Sequence, residues 1–378
     1  MISKPFPPPR LQDLSRRSAS NLLSLARKIC EQPCTLVAGA GVSTSAGFPT
    51  WKQLLKNIAS IYFTHWRFSC EHESQSTIVP PKNISIAFWE SFMWDVQSQH
   101  LADKLIKIHD PLTVAQMILS RVAKDNQQYL IRKALYGDES SIKPSPLMKA
   151  ISDLCTAQNI TAVMSYNYDD LLEQALKKRS VSLSPIWGAS MIPHKGSMPL
   201  YYPHGYLKQD GGPVVPIVLA EDDYLSYSTE SYDWRNLLQL GLFSTSCCLF
   251  VGFSMNDPQI RRLLWIAKRG GAGPHYSFLS SKGTEDEEVE MLESLVDTQL
   301  NDFGVRVIRY PLTSTGDRHG RLLSLIKEIN KTTTIQEVFG LNDTWRLDFE
   351  ISSTDHRFMK AIKLLDNSKI FALSILSK

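Results

Sequence analysis

The stretch that most constrains this chain is Cys34–Ala38 (CTLVA). It is apolar without alternation, as a strand covered on both faces is, and it empties at once into Gly39-Ala40-Gly41. A helical pattern over Ser18–Glu31 precedes it and stops at Pro33. Further strand patterns lie at Thr161–Ser165, Val214–Leu219, Cys247–Val251, His275–Leu279 and Val305–Tyr310, most of them separated by helical patterns. Parallel pairing with right-handed crossovers is the arrangement such alternation favours, because each crossover must return along a sheet face. The expected class is therefore α/β, with a doubly wound parallel sheet.

Between Thr50 and Gln158 the pattern is helical throughout: Trp51–Trp66, Ile84–His109, Thr113–Tyr136 and Pro146–Gln158. Phe88, Trp89, Phe92 and Trp94 read as a core stripe of this block. A helical module over about 51–158, inserted after the first strand, is expected at the carboxyl ends of the strands, as a lid or wall. Thr284 and Glu287 stand at capping-box spacing ahead of an acidic helix to Asp297. The expected division is an N-terminal arm and helix over 1–33, a main domain over 34–330 and an extension over 331–378. That extension ends in the apolar Ile370–Leu376, which either packs back or meets another chain.

Composition removes several function classes. Lys plus Arg number 41 against 38 Asp plus Glu, a net charge of +3 without the basic excess of a phosphate-backbone binder, so no direct nucleic-acid contact is expected. Met1–Arg10 lacks the apolar run of a secretory signal, and no stretch offers the ~18 apolar residues of a membrane span. A cytoplasmic protein without a membrane partner is the expectation. The six cysteines, at positions 30, 34, 70, 155, 247 and 248, include no C-x-x-C pair, so no metal site is expected.

Chemistry concentrates in four places. In the first, Gly39, Ala40, Gly41, Ser43, Gly47 and Pro49 form a turn with glycines for tight geometry and N–H and hydroxyl donors for a diphosphate; a purely structural turn is the competing reading. Its spacing is G-x-G-x(5)-G rather than the dinucleotide fingerprint G-x-G-x-x-G. In the second, Ser165-Tyr166-Asn167-Tyr168-Asp169-Asp170 places Asn167 and Asp169 at a strand's carboxyl end, where helix capping would also account for either residue. His204 in Tyr202-Pro203-His204-Gly205 is the third, with a glycine that lets a ligand approach. The fourth is Gly252-Phe253-Ser254-Met255-Asn256-Asp257, a second strand emptying into a Gly/Ser turn.

The order and spelling of these motifs over roughly 34–310 resemble the sirtuin family. The resemblance implies a Rossmann-like sheet that binds NAD, with Gly39, Ala40, Gly41 and Ser43 along the diphosphate, Gly47 and Pro49 closing that turn, and Gly252, Ser254 and Asp257 toward the adenosine half. Asn167, Asp169 and His204 would surround the nicotinamide ribose: Asn167 holding a ribose hydroxyl and a water, His204 as general base, Asp169 stabilising positive charge or orienting Asn167. Protein-deacylating sirtuins carry a four-cysteine zinc module and a G-I-P-D-F-R stretch; this chain has Phe48-Pro49-Thr50-Trp51-Lys52 and no zinc spacing. It is more similar to zinc-lobe-less bacterial sirtuin-type defence proteins. That likeness implies hydrolysis of NAD to ADP-ribose and nicotinamide by a regulated antiphage effector, a homo-oligomer with a HerA-type ATPase as candidate partner. Two other activities stay open: an NAD-dependent protein deacylase, and a non-catalytic subunit that senses NAD or ADP-ribose.

Overall fold

The computed structural model describes residues 14–72, 83–84, 86–137, 142–156, 159–212, 215–281, 287–313 and 319–339. Helix α1 (Arg16–Glu31) leads into β1 (Cys34–Ala38) and the short α2 (Ala40–Thr44). Six helices follow: α3 (Trp51–His72), α4 (Ile86–Ser91), α5 (Val96–Ile108), α6 (Pro111–Leu119), α7 (Lys124–Tyr136) and α8 (Pro146–Cys155). Then come β2 (Ile160–Ser165), α9 (Leu171–Lys177), β3 (Leu183–Ile186), β4 (Met198–Tyr201), α10 (Glu221–Thr229), α11 (Trp234–Thr245) and β5 (Cys247–Val251). The remainder is α12 (Pro258–Arg269), β6 (His275–Ser281), α13 (Glu287–Asp302), β7 (Val305–Pro311) and α14 (Gly320–Phe339). The chain divides into two compact units, Met1–Thr333 and Thr334–Lys378; the sheet and the sites described below belong to the first.

The sheet has seven strands in the order β3-β4-β2-β1-β5-β6-β7, and every pairing in it is parallel. The fold is the expected α/β doubly wound sheet. Both β1 and β5 are buried along their whole length, which is why their sequences do not alternate. Pleating still sorts their side chains: Leu36 and Ala38 enter a core shared with α1, the inserted helices and α14, while Val37, Cys248 and Phe250 enter a second core under α11, α12 and α13.

Helix ends follow local chemistry. Ser15 caps α1, accepting from the Ser18 N–H at 3.2 Å. The expected single helix over 84–109 is broken, because Asp95 accepts from the Gln97 and Ser98 N–H groups and starts α5 afresh. The one expected over 113–136 is likewise divided, with α6 ending at Leu119 and α7 beginning at Lys124. Among the described residues no strand lies between Thr50 and Cys155; Gln158 and Thr284 fall outside the described residues.

The strand expected at Val214–Leu219 is not formed over its described part, Val215–Leu219. Pro216 has no N–H for a ladder. Its neighbours bond elsewhere: the Val218 N–H donates to His204 O at 2.9 Å, and Tyr168 Oη donates to Val218 O at 2.8 Å. The strands that complete this side of the sheet, β3 and β4, carry no strand pattern in the sequence; each has four residues, one of them proline.

Candidate functional site

Strands β4, β2, β1 and β5 are consecutive in the sheet, so the loops at their carboxyl ends share one rim. Those loops carry His204, Asn167 and Asp169, the Gly39 turn and the Gly252 turn. β1 connects onward to β2 on one side and β5 to β6 on the other, making the crevice beyond β1 and β5 a topological switch point, where open α/β sheets take ligands.

The two glycine turns are packed backbone to backbone. The Gly39 N–H donates to Val251 O at 2.9 Å and the Gly41 N–H to Gly252 O at 2.8 Å. A Cβ on Gly39 would lie 2.6 Å from Gly252 O, one on Gly41 2.8 Å from Gly252 Cα, and one on Gly252, at φ +65°, 2.5 Å from Val42 N. These glycines therefore serve the approach of one turn to the other, and the Gly39 and Gly41 N–H groups expected as diphosphate donors are already committed. Gly205 is explained similarly: at φ +101° its Cβ would meet Pro216 O at 2.5 Å, so a chain segment rather than a ligand comes close there.

Asn167 is buried and donates from Nδ2 to Gly39 O at 2.9 Å, tying the end of β2 to the first turn. Asp169 accepts from Ser43 Oγ at 2.5 Å and from the Leu171 N–H at 3.1 Å. The carboxylate thus holds the α2 turn and starts α9, while Asn167 is oriented by Gly39. Burial pushes the Asp169 carboxyl up to about 6, against the lowering effect of its two donors. Ala40, Gly47 and Ser254 are exposed at the rim, Pro49 is half-buried, and Asp257 caps α12 by accepting from the Gln259 and Ile260 N–H groups.

His204 is the singular group. It is 6% exposed, and its Nε2 has no hydrogen-bond partner among the described residues. Tyrosine rings stand edge-on around it, Tyr166 at 4.9 Å, Tyr224 at 5.7 Å and Tyr227 at 6.4 Å between centroids. Desolvation lowers its pKa to about 4, opposed by the Asp257 carboxylate and assisted by the Arg235 guanidinium. Tyr166 in turn packs on Phe253, at 5.2 Å, and Phe253 lies against Gly39, so an aromatic bridge joins the imidazole to both glycine turns. A buried nitrogen without a partner costs free energy unless a ligand supplies one. It suits a sugar hydroxyl.

The inserted helices wall this rim. Phe48 meets Tyr136 of α7 edge-on at 5.2 Å, and Ser45 Oγ and Ser145 Oγ are 2.7 Å apart. Tyr136 Oη donates to Leu207 O at 2.7 Å, and Gln116 of α6 donates to Asp222 at 2.6 Å. Tyr166, Tyr224, Tyr227 and Arg235 emerge as neighbours of His204 only in the structure. Tyr166 lies inside a motif already singled out; the i, i+3 pair Tyr224 and Tyr227 gave no signal apart from ordinary helical spacing.

Residues 161–308 match the SIR2-like domain family, a span that includes Asn167, Asp169, His204, Gly252, Ser254 and Asp257 and begins after the first glycine turn. The chain is 23% identical over 327 residues to the NAD(+) hydrolase ThsA of Enterococcus faecium, a match covering 80% of this chain and 56% of the relative. It is 32% identical over 120 residues to defense-associated sirtuin 2 of Bacillus subtilis, covering 31% of this chain and 12% of the relative. The chain thus spans about half the length of the first and an eighth of the second. Solved structures of a Sir2 enzyme and of a Sir2 homologue with NAD align over 83% and 82% of the chain, and over 98% and 94% of their own, at 14% and 13% identity and TM-scores of 0.39 and 0.37. From β2 into β7 the chain is similar to the SIR2-like domain family.

Proposed function

We propose that the protein hydrolyses NAD to ADP-ribose and nicotinamide. The observation that carries this reading is His204, buried at the switch-point rim with an Nε2 that has no hydrogen-bond partner among the described residues. The similarity to an NAD(+) hydrolase supports the substrate, and the similarity to a defence-associated sirtuin supports the setting of an antiphage effector.

The chemistry asked of the chain is modest. The C1′–N bond breaks with its electron pair moving onto the pyridinium, so nicotinamide departs neutral and the ribose becomes oxocarbenium-like. A water oxygen then bonds to C1′ and gives up a proton. His204, kept unprotonated at neutral pH by its burial, accepts that proton at Nε2 in the tautomer with hydrogen on Nδ1. Asn167 holds the sugar from the end of β2, while Asp169, fixed by Ser43 and the Leu171 N–H, keeps the α2 turn in place. Ala40, Gly47, Pro49 and Ser254 border the cofactor along the rim, and Gly39, Gly41, Gly252 and Asp257 give that border its shape. No resident metal or further cofactor is required by this scheme.

Activity of this kind needs restraint in the cell, and a homo-oligomer, a HerA-type ATPase partner and the 331–378 extension are the parts we assign to it. Mass spectrometry of the products formed from NAD, with and without an acetylated peptide, tests the reading. ADP-ribose and nicotinamide without peptide support hydrolysis, whereas O-acetyl-ADP-ribose formed only with peptide would establish the deacylase instead. NAD bound intact by the folded protein would favour the sensing subunit.

A further inference from the structure

Helix α11 is inside out at its middle. Its buried positions are Asn236, Gln239 and Phe243, the stripe that a helix ordinarily fills with apolar side chains, while Leu237 stands 51% exposed. Two amides on such a stripe cost free energy unless their polar atoms are matched. What they are matched to is the surroundings of His204.

Gln239 is fully buried, and both ends of its amide are engaged. Nε2 donates to Arg235 O at 2.8 Å and to Tyr227 Oη, and Oε1 accepts from Tyr166 Oη. The Arg235 carbonyl accepts and never donates, which turns Nε2 toward it and leaves Oε1 facing Tyr166. The Tyr166 hydroxyl proton is thereby committed to Oε1, and Tyr227 Oη receives the second N–H. Asn236 Nδ2 donates to Tyr227 O at 2.8 Å and to Glu230 O at 3.0 Å, so the same stripe also fixes the backbone that carries the Tyr227 ring. Tyr166 follows β2 and Tyr227 belongs to α10. One amide of α11 therefore ties together two elements that are distant in sequence.

Both tyrosines stand edge-on to His204, with centroids 4.9 Å and 6.4 Å from the imidazole and interplanar angles of 81° and 86°. The imidazole Nε2 has no hydrogen-bond partner among the described residues, so on that side ring packing alone sets its plane. We propose that Gln239 is a positioning residue for His204, holding through the hydroxyls of Tyr166 and Tyr227 the two rings against which the imidazole is set. The inference rests on the reading of His204 as the base in NAD cleavage. A misplacement of ~1 Å at a reacting group costs up to ~10²-fold in rate, so loosening this clamp should be felt in turnover.

The test uses Gln239→Leu in the full chain, together with a Tyr166→Phe plus Tyr227→Phe variant that keeps both rings and removes both hydroxyls. One readout is steady-state NAD cleavage. The other, independent of activity, is the His204 imidazole signal in proton–nitrogen correlation spectra of histidine-labelled protein, assigned by its loss in His204→Ala. Gln239→Leu is expected to lower kcat about 10–100-fold, to leave KM within about twofold, and to move the His204 signal. Gln239→Glu, whose carboxyl offers oxygens to both hydroxyls, should recover most of the loss. Adding Gln239→Leu to the phenylalanine pair should lower kcat no further, because the groups through which it acts are gone. A folded, active Gln239→Leu with wild-type kcat or an unmoved His204 signal would overturn the proposal, as would a full further loss in the phenylalanine background. Should Gln239→Leu fail to fold, an unmoved His204 signal in the phenylalanine pair would overturn it equally. A moved signal in a chain that leaves NAD intact would uphold the positioning and overturn the cleavage instead.

Discussion

Gly252→Ala probes the contact between the two glycine turns on which the rim is built. The added methyl would lie 2.5 Å from Val42 N, 2.8 Å from Gly41 C and 3.0 Å from Gly41 Cα. All three are backbone atoms, so no side-chain rotation relieves the clash. The residue also sits at φ +65°, a left-handed conformation that costs an L residue ~1–2 kcal/mol. Forcing the turns apart adds about 1–3 kcal/mol of overpacking, and loosening the 2.8 Å bond from the Gly41 N–H to Gly252 O adds roughly 1 kcal/mol. The sum is about 3–6 kcal/mol, a large part of the ~5–15 kcal/mol typical of a folded protein. Gly271→Ala is the control, because Gly271 has φ +91° and nothing within 4 Å of its Cβ, leaving the conformational cost alone. Urea denaturation of the two variants against wild type should separate them by at least about 2 kcal/mol. Equal losses would show that the turns do not bear on one another as the geometry requires.

Other perturbations test neighbouring parts of the account. Asn167→Ala leaves the buried Gly39 carbonyl without its 2.9 Å donor and should cost about 1–3 kcal/mol in the same denaturation assay; an unchanged midpoint would contradict that tie. Arg309 holds Asp297 at 2.7 Å and the Ser280 carbonyl at 2.9 Å. Arg309→Met, which strands the carboxylate, should lose about 3–5 kcal/mol, and a loss under ~1 kcal/mol would make the pair dispensable. Histidine and aspartate pull the pH dependence in opposite directions. His204, lowered to about 4, contributes stability that is complete above its unfolded value of 6.5 and fades as pH falls toward 4. Asp169, raised to about 6, contributes stability that is present below its unfolded value of 3.8 and fades as pH rises through 6. Asp169→Asn should therefore steepen the rise of the denaturation midpoint between pH 4 and 6, and parallel wild-type and variant curves would refute the opposition.

The buried strands were legible in the sequence because burial on both faces leaves an unbroken apolar run, as in CTLVA and CCLFV. β3 and β4 were not, since Pro185 and Pro199 in four-residue segments read as loop. Conversely the run from Val214 reads as a strand, yet its described backbone groups bond to side chains and to His204 O. Helix breaks at Asp95 and Ser120 were hidden by apolar periodicity that continues across both halves. The four motifs located the rim, but the reason for the glycines was invisible: the partner of Gly41 is Gly252, distant in sequence, and pattern alone cannot distinguish room for a phosphate from room for another turn. The setting of His204 was equally hidden, because its tyrosines come from the end of β2 and from α10.

The central claim is that the His204 imidazole serves cleavage of NAD at this rim. Nicotinamide release from NAD, followed by chromatography for the wild type and for His204→Ala, tests it most directly. The account predicts release by the wild type and a fall of about 10²–10⁴-fold in the variant, with NAD still bound and the circular dichroism spectrum unchanged. A folded variant that releases nicotinamide at the wild-type rate would contradict it.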